Sequence, residues 1–202
     1  MAIIVMVYGQ SGTGKSTSLR NFKPEDVSIV NVLGKPLPFR CAGWKTFKTD
    51  NYSKIDEYMK ATPKKSIVID DATYLMTNEF MRTAGKTGYQ KFTDMAANFN
   101  ALLTTASHLP SDVIVYFFGH SDRDADGNEK FKTIGKLLDE KVCVEGLFTI
   151  VLKTVVQDGR YYFETHNNGQ DTVKSPLGMF ESDLIDNDLA AVDKAIRDYY
   201  GI

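Results

Sequence analysis

Residues Ala2–Leu19 read AIIVMVYGQSGTGKSTSL. Ala2 to Tyr8 are apolar or aromatic and rich in β-branched types, which predicts a buried strand. Gly9-Gln10-Ser11-Gly12-Thr13-Gly14-Lys15-Ser16 comes next and satisfies G-x-x-x-x-G-K-[ST], the phosphate-binding P-loop pattern. Ser16 to Phe22 is expected to continue as a helix. Glycines permit a tight turn and let the backbone approach an anion with no Cβ in the way. Successive N–H groups then form a nest for phosphate oxygens. A helix opening at Gly14–Lys15 adds the positive end of its dipole there. Lys15 is placed to reach β- and γ-phosphates, and the Ser16 hydroxyl to complete a Mg²⁺ shell. The plainer alternative is a Gly/Ser-rich surface loop between a core strand and a helix.

The chain has 202 residues, 43% hydrophobic and 25% charged. That length predicts a single domain over residues 1–202 with a substantial core. A net charge of -2 excludes a bulk affinity for nucleic acid, so any such binding must come from a local patch. Cys41 and Cys143 lie far apart without C-x-x-C spacing and suggest buried thiols in a reducing cytoplasm. No apolar run reaches the roughly 18–20 residues needed to cross a bilayer. No basic segment precedes Ala2–Tyr8, so the N-terminus does not read as a signal peptide. These features predict a protein that works in the cytoplasm without a membrane partner.

Beyond the P-loop, Val27–Leu33 (VSIVNVL) reads as a second core strand, broken by Gly34-Lys35-Pro36-Leu37-Pro38. Residues 35–65 carry eight Lys/Arg against three acids, interleaved with Phe39, Trp44, Phe47, Tyr52 and Tyr58. Cations with aromatic rings suit a single-stranded nucleic acid groove. A solvated helix over Tyr52–Lys60, with its aromatics packed on the sheet, is the reading favoured here.

Ser66–Asp71 (SIVIDD) is an apolar strand run ending in acids, the pattern of a Walker B segment. Asp70 is the candidate for the Mg²⁺ shell. Asp71 either orients the attacking water, supports the metal from behind, or caps the next helix. Ala72 to His108 reads as helical with a break around Gly85–Gly88, and Tyr89–Ser107 places Phe92, Met95, Ala96, Phe99, Leu102, Leu103 and Ala106 on one stripe. Val113–Gly119 is another buried strand. His120 stands at its end, where α/β sheets bind ligands and where a polar side chain can sense a γ-phosphate. A purely structural histidine is the alternative.

Asp122 to Asn128 (DRDADGN) resembles the first half of an EF-hand loop, but the twelfth position is Thr133 where a bidentate Glu is required. It reads as a tight turn. Leu147–Val156 and Arg160–Thr165 predict a β-hairpin turning at Gln157-Asp158-Gly159. Asp188–Tyr200 closes the chain as an amphipathic helix with Leu189, Val192, Ile196 and Tyr199 on one face.

Together these elements predict an α/β P-loop NTPase with a mostly parallel sheet flanked by helices and a C-terminal β-hairpin. GQSGTGKST, SIVIDD, VYFFGHSDRDADGN and FTIVLKT resemble the phage nucleotide-binding ATPases with a RecA-like core, some of which are single-strand annealing proteins of recombination. That resemblance implies ATP and Mg²⁺ as cofactors and hydrolysis in phage DNA recombination or replication, in the host cytoplasm. It further implies single-stranded DNA, a single-strand binding protein and further copies of the chain as partners. By position, Gly9 to Thr17 match the nucleotide-binding loop, Asp70 the Mg²⁺ acid, and His120 the strand-end sensor, with Lys15 and Asp71 in catalytic support. One departure is plain. RecA-like ATPases carry a catalytic Glu at the end of the strand before Walker B, and here that strand offers Asn31. Arg123, Arg160, Lys132 and Lys153 are the candidates for a charge-stabilising finger. A small-molecule or nucleotide kinase is the competing reading, against which stands the lack of an Arg-rich lid among only six Arg. A non-hydrolysing, ATP-dependent DNA-binding or loader module is the other.

Overall fold

The computed structural model describes residues 1–202. Its centre is a sheet of eight strands. In chain order these are β1 (Ile3–Tyr8), β2 (Val27–Asn31), β3 (Thr46–Lys48), β4 (Ser66–Asp70), β5 (Ile114–Gly119), β8 (Ile150–Gln157), β9 (Arg160–Glu164) and β10 (Leu184–Asp186). Strands β6 (Ser121–Arg123) and β7 (Glu129–Phe131) form a separate two-stranded ribbon. The spatial order is β10-β9-β8-β1-β5-β4-β2-β3. From β8 to β3 every pairing is parallel, whereas β9 and β10 are antiparallel additions.

Parallel strands need long crossovers, and the helices that supply them cover both faces. This explains why β1, β4 and β5 read as continuous apolar runs rather than alternating ones. Alternate residues still part company. Ile4, Met6, Val115 and Phe117 enter a core of 29 buried residues that includes the inner stripe of α3 (Gln90–Ser107) and residues of α1 (Tyr52–Ala61) and α2 (Thr73–Arg82). Val5, Val7, Tyr116 and Phe118 enter a second core of 18, closed by Leu189, Val192 and Ile196 of α4 (Leu189–Tyr200).

The predicted hairpin forms, with Asp158 and Gly159 both at positive φ as a two-residue type I′ turn requires. The segment Asp124–Asn128 is the tight turn between β6 and β7, tied by the Asp124 carboxylate to the N–H groups of Asp126 and Asn128.

Two expectations need correction, and one helix differs in kind. After the P-loop the expected helix forms as a 3₁₀ helix over Ser16–Asn21, one residue short of Phe22. Phe22 leaves the helix in an extended conformation to bury its ring, and Pro24 comes soon after. The thiols are not buried: Cys143 is exposed and Cys41 half-buried. Tyr199 stays 45% exposed, because the α4 face ends with Ile196.

Aromatics of the basic stretch behave as the favoured reading expects. Phe47 stacks on Tyr58 at 4.5 Å, and both pack with Tyr52 against the larger core. Phe39 and Trp44 meet edge to face on the other side. None of the five is among the exposed large apolar side chains. No helix is long and apolar enough to cross a membrane.

Candidate functional site

Because β1, β5, β4 and β2 are parallel, their carboxyl ends share one edge of the sheet, and the site forms there. The P-loop leaves β1 and is tied at once to its neighbour: Gly9 N–H donates to Gly119 O at 3.2 Å, and Ser121 N–H donates to Gly9 O at 3.3 Å. Strand β8 supports the loop from the other flank. Thr154 Oγ1 lies 2.6 Å from Thr13 Oγ1 and donates to Tyr8 O. A Cβ on Gly9 would sit 2.2 Å from that same Thr154 oxygen, so only glycine fits. Gly14 has a φ of 98° and its open side faces Tyr161 and Asn187, 2.9 and 3.1 Å from where a Cβ would be. Gly119 is equally constrained, since a Cβ there would meet the Phe131 ring and Thr73.

Lys15 is 7% exposed, with its ammonium donating to the carbonyls of Gly9 and Gln10, both at 2.8 Å. Burial lowers its pKa, opposed by the charges of Asp71 and Asp70. Ser16 Oγ donates to Asp70 Oδ1 at 3.0 Å, which joins the P-loop directly to the end of β4. Burial pushes the Asp70 carboxyl up to about 6; the Ser16 hydrogen bond opposes this and the charge of Asp71 reinforces it.

Asp71 serves two neighbours. Oδ1 accepts the N–H of Thr73 and so caps the start of α2, while Oδ2 lies 2.9 Å from His120 Nε2. His120 is itself oriented from two sides. Its backbone N–H donates to Thr73 Oγ1, and its ring meets Tyr74 edge to face at 5.6 Å. The Asp71 carboxylate therefore caps the helix and faces the cavity at once.

These side chains wall a cavity of ≈ 270 Å³. Ser11, Gly12, Gly14, Lys15, Ser16 and Thr17 line one part, and Asp70, Asp71 and His120 another. Gly9, Gln10 and Thr13 lie outside the wall, where they carry the loop's own hydrogen bonds. Asn31 also reaches the cavity, but its Nδ2 donates to Lys35 O at 2.7 Å.

Two contributors have no local sequence signal. Thr154 is one. The other is the segment from Leu33 to Pro38, which lines the cavity opposite the P-loop. Its Gly and Pro residues mark a strand break, and nothing in them says where the chain goes next. Of the finger candidates, Lys153 is fully engaged: it lies 2.5 Å from Glu164 and 2.8 Å from Asp171, with Glu129 at 3.6 Å. Burial works against its charge, but those carboxylates outweigh it and hold its pKa above the ordinary value. Lys132 faces Asp122 at 3.6 Å, and Arg160 sits exposed beside the hairpin turn.

A sequence profile described as AAA domain matches residues 1–176. The chain belongs to the AAA domain family. Membership brings nucleotide binding and ATPase activity at the level of the family, on a P-loop fold. Among solved structures this AAA domain is similar to a prototypical ATPase from the type III secretion system of pathogenic bacteria, at 14% identity and a TM-score of 0.49. The match covers 77% of this chain and 52% of that one, so the AAA domain here spans about half that ATPase's length. No curated protein matches it.

Proposed function

We propose that the protein binds and hydrolyses ATP with Mg²⁺, and that it couples this to single-stranded DNA in phage recombination or replication. The observation that supports the first half is the hydrogen bond from Ser16 to Asp70 beside Lys15, inside a cavity sized for a polyphosphate. A serine hydroxyl and a carboxylate, with room for water, form the all-oxygen donor set that Mg²⁺ prefers. Ser16 and Asp70 would hold that ion, which when bound would supply positive charge to offset that of the phosphates. Backbone N–H groups of Gly12 and from Gly14 to Thr17 bind the phosphates, and Lys15 moves from the loop carbonyls onto them. Asp71 and His120, already paired, are arranged to orient a water and sense the γ-phosphate. Phosphoryl transfer asks little covalent chemistry of the protein, so positioning and charge carry the reaction.

The DNA half rests on the resemblance to phage RecA-like ATPases, including their action as oligomers with a single-strand binding protein. Lys15→Ala should remove ATP binding; unchanged affinity would end the P-loop assignment. Single-stranded DNA at low salt should bind and stimulate phosphate release, and the effect should fade steeply as salt rises. A chain that neither binds nor responds to DNA under those conditions is not a recombination ATPase.

One observation favours a second reading. Asn31 stands where a catalytic Glu is expected and its amide is engaged by Lys35 O. A loader that binds ATP without turnover predicts tighter DNA binding with ATP while phosphate release stays at background.

A further inference from the structure

We propose that Lys35 is the cation this chain supplies from its own fold to the γ-phosphate end of the nucleotide, a role that rests on the ATP-binding reading above. Apart from Lys15, it is the only lysine or arginine lining the cavity. Lys15 approaches from the P-loop at the end of β1, whereas Lys35 comes after β2, and β5 and β4 lie between those strands. The carboxyl end of β4, with Asp70, is thus flanked by the two cations. A triphosphate lying on the P-loop with its metal at Ser16 and Asp70 points its γ end away from β1, toward the segment that carries Lys35.

Electrostatics require a charge there. Asp70 and Asp71 both face a ligand that is itself strongly anionic, and Lys15 is the one lysine or arginine that the P-loop side sets against them, beside His120 on Asp71 and the metal the site would hold. Lys35 has no acidic partner within ion-pairing distance, so its charge is not committed elsewhere. Its Nζ rests 5.7 Å from the centre of the Tyr74 ring, which also lines the cavity. A flexible four-carbon stem can leave that ring for a phosphate at little cost.

The backbone around it is held. Asn31, 5% exposed, donates Nδ2 to Lys35 O, and Gly34 N–H donates to Asn31 O at 3.3 Å. Gly34 takes the turn at a φ of 67°, and Pro36 and Pro38 stiffen the chain just beyond Lys35. Asn31 is thereby a positioning residue. Asn31, at the position where a water-activating Glu is expected, thus fixes the backbone from which the Lys35 stem extends. Lys35 makes no bond in the reaction; it neutralises charge on the transferred phosphoryl group, where preorganised cations act most strongly.

The test compares the full chain with Lys35→Ala and Lys35→Arg, with Lys15→Ala as the reference for loss of the site. ATP, ADP, and ADP with aluminium fluoride and Mg²⁺ are the probes. Lys35→Ala should keep ADP affinity while lowering kcat about 10- to 100-fold, the effect of one charge-assisted hydrogen bond, with a much smaller change in KM. It should also fail to trap ADP–aluminium fluoride, and Lys35→Arg should restore part of both. If the wild type binds ATP without turnover, the readout is its preference for ATP over ADP, which Lys35→Ala should reduce by at least about tenfold. Turnover, trapping and preference all equal to wild type would overturn the assignment. A wild type that binds neither nucleotide instead removes the ATP reading itself.

Discussion

The Asp70 carboxylate sits among protein atoms beside Asp71, and burial, reinforced by the charge of Asp71, pushes its pKa up to about 6 against the Ser16 hydrogen bond and the charge of Lys15. An unfolded aspartate titrates near 3.9. Between there and about 6 the folded chain binds more protons than the unfolded one, so this group makes stability fall as pH rises through that window. Asp70→Asn removes the buried charge while Oδ1 can still accept from Ser16. At pH 7.5 without Mg²⁺ the variant should be about 1–3 kcal/mol more stable than wild type, and near pH 4 the gap should close. Mg²⁺-dependent turnover should vanish. Chemical denaturation across pH measures this, and a variant that is no more stable at pH 7.5 contradicts it. Lys15 and Ser16 are legible in the sequence through the fixed spacing of the P-loop pattern, and Asp70 through the apolar run that ends on it. Lys35 is not, since its place depends on where the chain goes after a strand break.

At the scale of elements, the P-loop depends on β8, a strand distant in sequence, through the 2.6 Å contact of Thr154 with Thr13, 141 residues apart. Thr154→Val keeps the shape and the β-propensity but removes the hydroxyl, so Tyr8 O and Thr13 Oγ1 each lose a partner. A loss of about 1–2 kcal/mol in stability is expected. Nucleotide affinity should weaken several-fold because Thr13 no longer fixes the loop. Calorimetric titration of ATP against the variant checks this; affinity equal to wild type means the loop holds its shape alone. The same elements show what sequence pattern can and cannot carry. Strands β1, β4, β5 and β8 are readable because burial on both faces leaves an apolar run. Strands β3 and β10, three residues each and only partly buried, leave no such run and so give no signal. The P-loop helix takes the tighter 3₁₀ form where Ser16-Thr17-Ser18 offers weak α-helix formers, and Ser18 Oγ bonds back to Lys15 O.

On the whole-molecule scale, the P-loop and a buried polar network around Asp193 lie at opposite edges of one sheet. Asp193 of α4 is 6% exposed and accepts from Ser66 Oγ at 2.7 Å, Tyr116 OH at 2.9 Å and Arg197 Nε at 2.7 Å. Arg197 goes on to the carbonyls of Asp112 and Lys65, where β5 and β4 begin. The network therefore locks the last helix to the amino ends of the strands whose carboxyl ends bear Asp70 and His120. The apolar stripe of α4 is plain from residue spacing, but spacing offers no reason to expect a buried carboxylate behind it. Asp193→Ala would leave the Tyr116 hydroxyl and part of the Arg197 guanidinium buried without a partner. The expected loss is about 3 kcal/mol, or roughly 6–12 °C in Tm for a chain of this size. Asp193→Asn, which keeps an acceptor for Ser66 and Tyr116, should lose less. Because none of these groups touches the cavity, ATP affinity at a temperature where the variant is folded should match wild type. If ATP binding falls in step with the helix contact while Tm holds, the two edges are coupled and the sheet is not the rigid platform this architecture implies.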